Sequence, residues 1–321
     1  MPTLVPKWNQ MNIAYMPPPH FGSALAYKRS SGTAFIFGGT NSTSGYLNDT
    51  WSFNGSQWQQ VQTTHRPSPR YGMVMAWNNV LQKATLFGGI QNGILLGETW
   101  SFNGVDWSQL NPIQHPSPRT GACIAYDTDH NQIILFGGLA DTGGRFLEPL
   151  NDMWVWNGTN WQQQLPANLP TARVGANMVY DNYRHVMLLF GGGVGGGLLD
   201  DTWTWNGTNW TKQQPVHIPS LRADFGMTYD EDKQRVVIFG GQSIANNPPT
   251  DTWVWLGNDW GQLQTIVQPP NQLAYRARIF YISLLKTVIL FNDFRQKNSD
   301  PNENVTMTEQ SEVWKLDYVR N

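Results

Sequence analysis

One block of residues, written out again and again along the chain, limits what it can fold into more than any other feature. Between Val186 and Trp210 it reads VMLLFGGGVGGGLLDDTWTWNGTNW. An apolar run ends in Phe-Gly-Gly, a loop follows, then Asp-Thr-Trp-x-Trp, then Asn-Gly-x-x-Trp. Met187 to Phe190 is β-forming, and the glycine pair ends it where the backbone needs a positive φ or a close neighbour. Asp201 to Trp205 alternates, with Trp203 and Trp205 on one face and Thr202 and Thr204 on the other, the period of a strand. Asn206-Gly207 tolerates the positive φ of a tight hairpin, so Trp210 opens the returning strand.

Phe-Gly-Gly recurs at Phe37, Phe87, Phe136, Phe190 and Phe239, with a degenerate sixth copy at Phe291-Asn292-Asp293, and the copies lie 49 to 54 residues apart. A fixed period of that length marks stacked supersecondary units. An acidic-x-Trp element follows each copy, at Asp49, Glu98, Asp152, Asp201, Asp251 and Glu312. Trp58, Trp107, Trp161, Trp210 and Trp260 open the last strand of five repeats, and the missing sixth stands at the other end of the chain. There Trp8-Asn9-Gln10-Met11 reads like Trp58-Gln59-Gln60-Val61, and the approach to His20-Phe21-Gly22 parallels that to Arg70-Tyr71-Gly72. One repeat then predicts strands a to d at Gly72–Trp77, Ala84–Phe87, Thr99–Phe102 and Trp107–Leu110.

The Phe-Gly-Gly pair, the spaced tryptophans and the Pro-x-Arg-x-Gly approach (Pro69-Arg70-Tyr71-Gly72 in one form) resemble the kelch family of β-propellers over nearly the whole chain. The resemblance implies an all-β, six-bladed propeller in one domain over residues 1–321. Residues 1–11 are expected as the outer strand of a closing blade whose other strands come from 272–321, which leaves no free sheet edge between first and last. Kelch propellers include protein-binding modules, carbohydrate-handling enzymes and specialised-metabolism proteins, so the fold does not select a function.

Composition removes some function classes. A net charge of -2 and a pI near 6.3 give no electrostatic reason to expect nucleic acid or an anionic membrane surface. No apolar run reaches the length of a membrane helix, and the start MPTLVPKWNQ lacks the basic and apolar parts of a secretory leader. A cytoplasmic protein is expected, or a secreted one if a leader was removed. One cysteine, Cys123, excludes an internal disulfide framework. Its place inside a strand also fails the cysteine–tyrosine crosslink of the copper radical oxidases that share the kelch fold. The scattered histidines show no metal-ligand spacing, so neither a metal nor another cofactor is expected.

In a kelch blade the b–c and d–a loops emerge on one face. On that face the b–c segments Leu139–Asn151, Gly193–Asp200, Gln242–Thr250 and the polar Asn292–Ser311 differ in length and chemistry, while the a–b and c–d turns opposite are short and uniform. Variable loops on a rigid scaffold are where binding is expected. Their aromatics Tyr46, Phe146 and Phe294 are candidate contacts for a protein partner. His20, Arg70, Arg119, Arg173 and Arg222 occupy one repeat position at the start of strand a. They read either as anion-binding forks at the channel mouth or as ion-pair partners of the acids that open strand c. Departures from the repeat mark an asymmetric sector. His20 replaces arginine, Asp224-Phe225 replaces Gly-x, and Ala274 stands at the arginine position with Tyr275 and Arg276 beside it. The first functional expectation is a binding module for a protein or a small polar ligand. The alternative is an enzyme of isomerase, lyase or hydrolase type on an anionic small molecule, with His20 and Asp224 as acid and base and Arg70, Arg119, Arg173 and Arg276 as the anion clamp.

Overall fold

Each repeat meets the same requirement: its alternating strands bury large rings on both faces, so every sheet needs a neighbour on each side. The computed structural model describes residues 4–244, 248–271, 276–297 and 307–320, and they are all-β. In the second repeat the strands are Val74–Asn78, Lys83–Phe87, Thr99–Phe102 and Trp107–Leu110, within two residues of expectation and antiparallel in that order. Among the described residues six sheets have this form. Their innermost strands are Ala24–Lys28, Val74–Asn78, Cys123–Asp127, Asn177–Asp181, Gly226–Asp230 and Arg278–Ile282. Successive innermost strands lie against one another, and Arg278–Ile282 also contacts Ala24–Lys28. The outer strand of the sixth sheet is Leu4–Gln10, which runs antiparallel to Met307–Arg320 with Trp8 opposite Leu316.

The Phe-Gly-Gly motif acquires its physical reason at the joints between sheets. Gly38, Gly88, Gly137 and Gly191 all have positive φ, and a Cβ on any of them would lie 2.5–2.8 Å from the backbone oxygen of Arg70, Arg119, Arg173 or Arg222 in the next sheet. Only glycine fits there. In the sixth copy Asn292 and Asp293 replace the pair, neither has positive φ, and the strand continues. The expected polar loop Asn292–Ser311 is therefore corrected: Thr287–Lys297 and Met307–Arg320 form one long ladder, paired as far out as Lys297 and Met307.

The outer tryptophans also stitch sheet to sheet. Trp107, Trp161 and Trp260 donate their indole N–H to Thr50, Thr99 and Thr202 of the preceding sheet at 2.9 Å each, and Trp8 donates to Thr252 at 3.0 Å. Trp210 meets Met153 Sδ instead, at 3.3 Å. For Trp58 the repeat puts Val313 where a threonine would stand. Its buried N–H has no partner among the described residues.

Candidate functional site

The repeated basic residues form a closed inner structure. Arg119 donates Nε to Ser117 O, Nη2 to Ser117 Oγ, and Nη1 to Gly137 O, and it grips Asp152 with both terminal nitrogens at 2.6 and 2.7 Å. Arg173 and Arg222 repeat this with Thr171, Gly191 and Asp201, and with Ser220, Gly240 and Asp251. A guanidinium has five N–H donors, and here all five are engaged. Arg70 has the same partners, Ser68, Gly88 and Glu98, but reaches Glu98 through Nη2 alone. Each acid also accepts the indole N–H of the tryptophan two residues on, as Asp201 does from Trp203 at 2.7 Å. Burial pushes the Asp201 carboxyl up, but Arg173 and Trp203 outweigh it and hold the group below its ordinary value of 3.8. The Ser or Thr two residues before each arginine is the mark in the sequence that goes with this cluster.

These four arginines are buried and do not line the central cavity. Of their two readings, the observed geometry is the ion pair. His20 occupies the corresponding place in the first sheet. It is 0% exposed, its ring lies against the Pro18 carbonyl and, at 3.0 Å, the Asp49 carboxylate, and its backbone N–H donates to Asp293 at 3.0 Å. His20, expected as an acid or base together with Asp224, is therefore buried away from the cavity that Asp224 lines.

The cavity itself is about 480 Å³ and is lined from all six innermost strands and the residues leading into them. Its rim is a belt of peptide groups. Gly72 N–H donates to Gly22 O, Gly121 to Gly72, Gly175 to Gly121 and Asp224 to Gly175, at 2.8–2.9 Å. The six equivalent positions are Gly22, Gly72, Gly121, Gly175, Asp224 and Arg276, and all have positive φ, 63–69° for the glycines and 52° for Asp224 and Arg276. A side chain in that region is strained, and such strain concentrates where the side chain has a task. Four positions thus leave bare backbone, and two adjacent ones project opposite charges.

Arg276 Nε lies 3.3 Å from Asp224 Oδ2, which also accepts from Gln242 Nε2 at 2.7 Å. The two side chains are 30% (Asp224) and 41% (Arg276) exposed. Burial in the cavity pushes the Asp224 carboxyl above 3.8, against the pull of Arg276 and Gln242. Gln242 was not foreseen; it stands directly after the Phe239-Gly240-Gly241 copy and is bridged to Ala223. Gly175 is the floor of the pair, since a Cβ there would come within 2.7 Å of Asp224 Oδ1.

Other expected residues scatter. Phe225 lines the cavity but is buried against Phe190 at 5.6 Å between ring centres. Arg278, which also lines the cavity, donates through its terminal nitrogens to Asp293, Ser23 and the His20 carbonyl, while its buried Nε has no partner among the described residues. Tyr275 lies outside the described residues, as does Ala274. Tyr46 is half-buried and stacks on Tyr71 with centres 5.8 Å apart. Phe146 is 73% exposed beneath Arg145. Phe294, expected as an exposed anchor, is 3% exposed, because the lengthened strand turns it into the core beside Trp314. The b–c arms border the rim directly: Tyr71 bridges Ile90, Val174 bridges Gly193, and Arg119–Thr120 pairs with Leu139–Ala140. Exposed Ile94, Phe146 and Ile244 stand on these arms. Among the described residues no helix is long and apolar enough to cross a membrane.

A family model described as the KLHDC2/KLHL20/DRC7 Kelch-repeats domain matches residues 5–162. No curated protein matches the chain. Beyond residue 162 the Phe-Gly-Gly pairs, the Arg–acid–Trp clusters and the four-stranded sheets continue unchanged through Trp260. Over residues 5–162 the chain belongs to the kelch-repeat family.

Proposed function

We propose that this chain is a single six-bladed kelch propeller, closed by its N-terminal strand, that serves as a binding module. It takes its partner on the face carrying the b–c and d–a loops, with one element of that partner entering the central cavity. The observation that carries this is the rim: Asp224 and Arg276 hold strained positive-φ backbone where four equivalent positions are glycine, and they face the cavity as an adjacent pair. Kelch domains typically bind proteins, which agrees with exposed apolar side chains at Ile94, Phe146 and Ile244 around the same rim. Ring closure is supported by the register of Leu4–Gln10 on Met307–Arg320 and by the Trp8–Thr252 bond, which repeats the joint of the other sheets. The enzyme reading has less support, since His20 lies against Asp49 and is not among the residues that line the cavity with Asp224.

The test is affinity capture from source cells with quantitative mass spectrometry, comparing the wild type with Asp224→Gly/Arg276→Gly, which returns both positions to the residue of the other repeats. Proteins held by the wild type should drop out with the double variant. An unchanged set of captured proteins would remove the cavity rim as the binding site.

A further inference from the structure

We propose a second site, apart from the central cavity, that takes a guanidinium: the arginine side chain of a polypeptide, held against Glu312 at the joint between the sixth sheet and the first.

Six acids open strand c, and five of them meet a basic side chain of their own sheet. Asp152, Asp201 and Asp251 hold a guanidinium with both oxygens, Glu98 holds Arg70, and Asp49 lies 3.0 Å from His20. The sixth acid is Glu312. At the arginine position of its repeat stands Ala274, and the segment Gln272-Leu273-Ala274-Tyr275 carries no cation. Glu312 accepts the Trp314 indole N–H at 2.8 Å, as the other acids do from their own tryptophans, and among the described residues it has no other partner. The cations on the strands beside it are taken: Arg278 by Asp293, Arg295 by Glu309 at 2.9 Å, and Lys315 by Asp317 at 3.0 Å. Glu312 is thus a half-buried carboxylate in no ion pair, in a cluster that a guanidinium completes in four of the other sheets.

A pocket makes that carboxylate reachable. Glu312 lines a cavity of about 320 Å³ walled by Met11, Ile13, Met16 and Val313, which shares no residue with the central cavity. That volume suits a long side chain rather than a lone ion, and the apolar walls suit an aliphatic stem whose charged head meets the carboxylate. A guanidinium fits the cluster without displacing the tryptophan, since Asp201 Oδ2 accepts from both Arg173 at 2.9 Å and Trp203 at 2.7 Å. An ammonium lacks that two-pronged geometry. The other polar residues of the lining, Gln10, Asn12 and Ser311, are uncharged, and Ser311 gives its hydroxyl to Asp293 at 2.6 Å. The α-carboxylate of free arginine would therefore meet no cation there, whereas an arginine within a polypeptide brings no such charge.

Four probes test this at neutral pH: N-acetyl-arginine N-methylamide, its citrulline isostere, which keeps the shape and loses the charge, the lysine counterpart, and free L-arginine. Binding is read by methyl chemical shifts of Met11 and Met16, with Met73 and Met178 of the central cavity as the internal control. The blocked arginine should shift Met11 and Met16 alone. It should bind roughly tenfold or more tightly than the citrulline form, and more tightly than the lysine form or free arginine. Glu312→Gln should lose that preference, while Glu312→Asp, the acid of four other sheets, should keep it. Asp224→Gly/Arg276→Gly should bind the probes as the wild type does, so that failure of this site and failure of the central cavity are separate results. The proposal is overturned by equal binding of the arginine and citrulline forms, by tightest binding of the lysine form or of free arginine, or by no binding of any probe. Shifts at Met73 and Met178 in place of Met11 and Met16, a preference that survives Glu312→Gln, or equal losses in the Gln, Asp and rim variants would overturn it as well.

Discussion

Two sectors of this molecule are built from the same repeat and differ in how they place their charges. From the second sheet to the fifth, each joint carries a saturated cluster: a buried arginine, its Ser or Thr, a glycine carbonyl, an acid and a tryptophan. Across the fifth, sixth and first sheets the repeat departs from itself at several positions, although Asp49 and Glu312 still accept from Trp51 and Trp314. Asp224 and Arg276 take glycine positions, Asn292-Asp293 replaces the glycine pair, Val313 replaces a threonine, and His20 replaces an arginine. The lesson is that charge repeated at every joint is cement, with no donor left for a ligand. On the proposed function, charge placed once, on positive-φ backbone at the cavity rim, is what a partner would read.

The largest expected effect tests the cement. Arg173→Ala removes the buried cation that holds the mostly buried Asp201 and should cost about 3–5 kcal/mol of stability, whereas Arg276→Ala, at a half-exposed pair, should cost no more than about 1 kcal/mol. Urea unfolding midpoints check both, and equal losses would erase the distinction between the sectors. Next comes the joint between the sixth and first sheets. Val313→Thr gives the buried Trp58 N–H the acceptor that Trp107, Trp161, Trp260 and Trp8 already have, and should raise stability by about 1 kcal/mol. A loss on the same measurement would show that this joint is shaped differently from the others.

The smallest effect is in the titrations, and there the two sectors have opposite signs. Asp201 in the fold lies below its ordinary 3.8. It therefore contributes stability that is present above that value and is lost as pH falls through the depressed one. Asp224 lies above 3.8, so its contribution is present below 3.8 and is lost as pH rises through the raised value. Carbon-detected NMR of the two carboxyl groups should find Asp201 titrating below Asp224. The reverse order would contradict the account of both sites.

Most of the scaffold was legible because each of its parts is forced by something a sequence displays. Glycine pairs mark backbone contact, alternating tryptophans mark strands, and the Trp8 segment matches Trp58 closely enough to place the first strand beside the last. The long sixth hairpin was misread because Asn292–Ser311 is polar, and polarity marks a loop only when the strand signal ends; here the lost glycines let it run on, which carries Phe294 inward. Asp224 and Arg276 were visible as departures from the repeat, yet their contact was not. It depends on two equivalent rim positions being adjacent across a joint, which spacing in one chain does not reveal. His20 drew attention for the same reason as Asp224, and only burial separates them: one departure replaces cement with cement, the other faces a cavity.

The most direct test of that separation is one variant read twice. In Asp224→Gly/Arg276→Gly, thermal unfolding should stay within about 1 kcal/mol of the wild type, since relief of positive-φ strain offsets the lost pair and the added freedom of the unfolded chain. Capture of the wild-type partners by the same protein should be lost. A variant that unfolds several kcal/mol more easily would make the pair cement after all, and one that is stable and still captures every partner would place binding elsewhere.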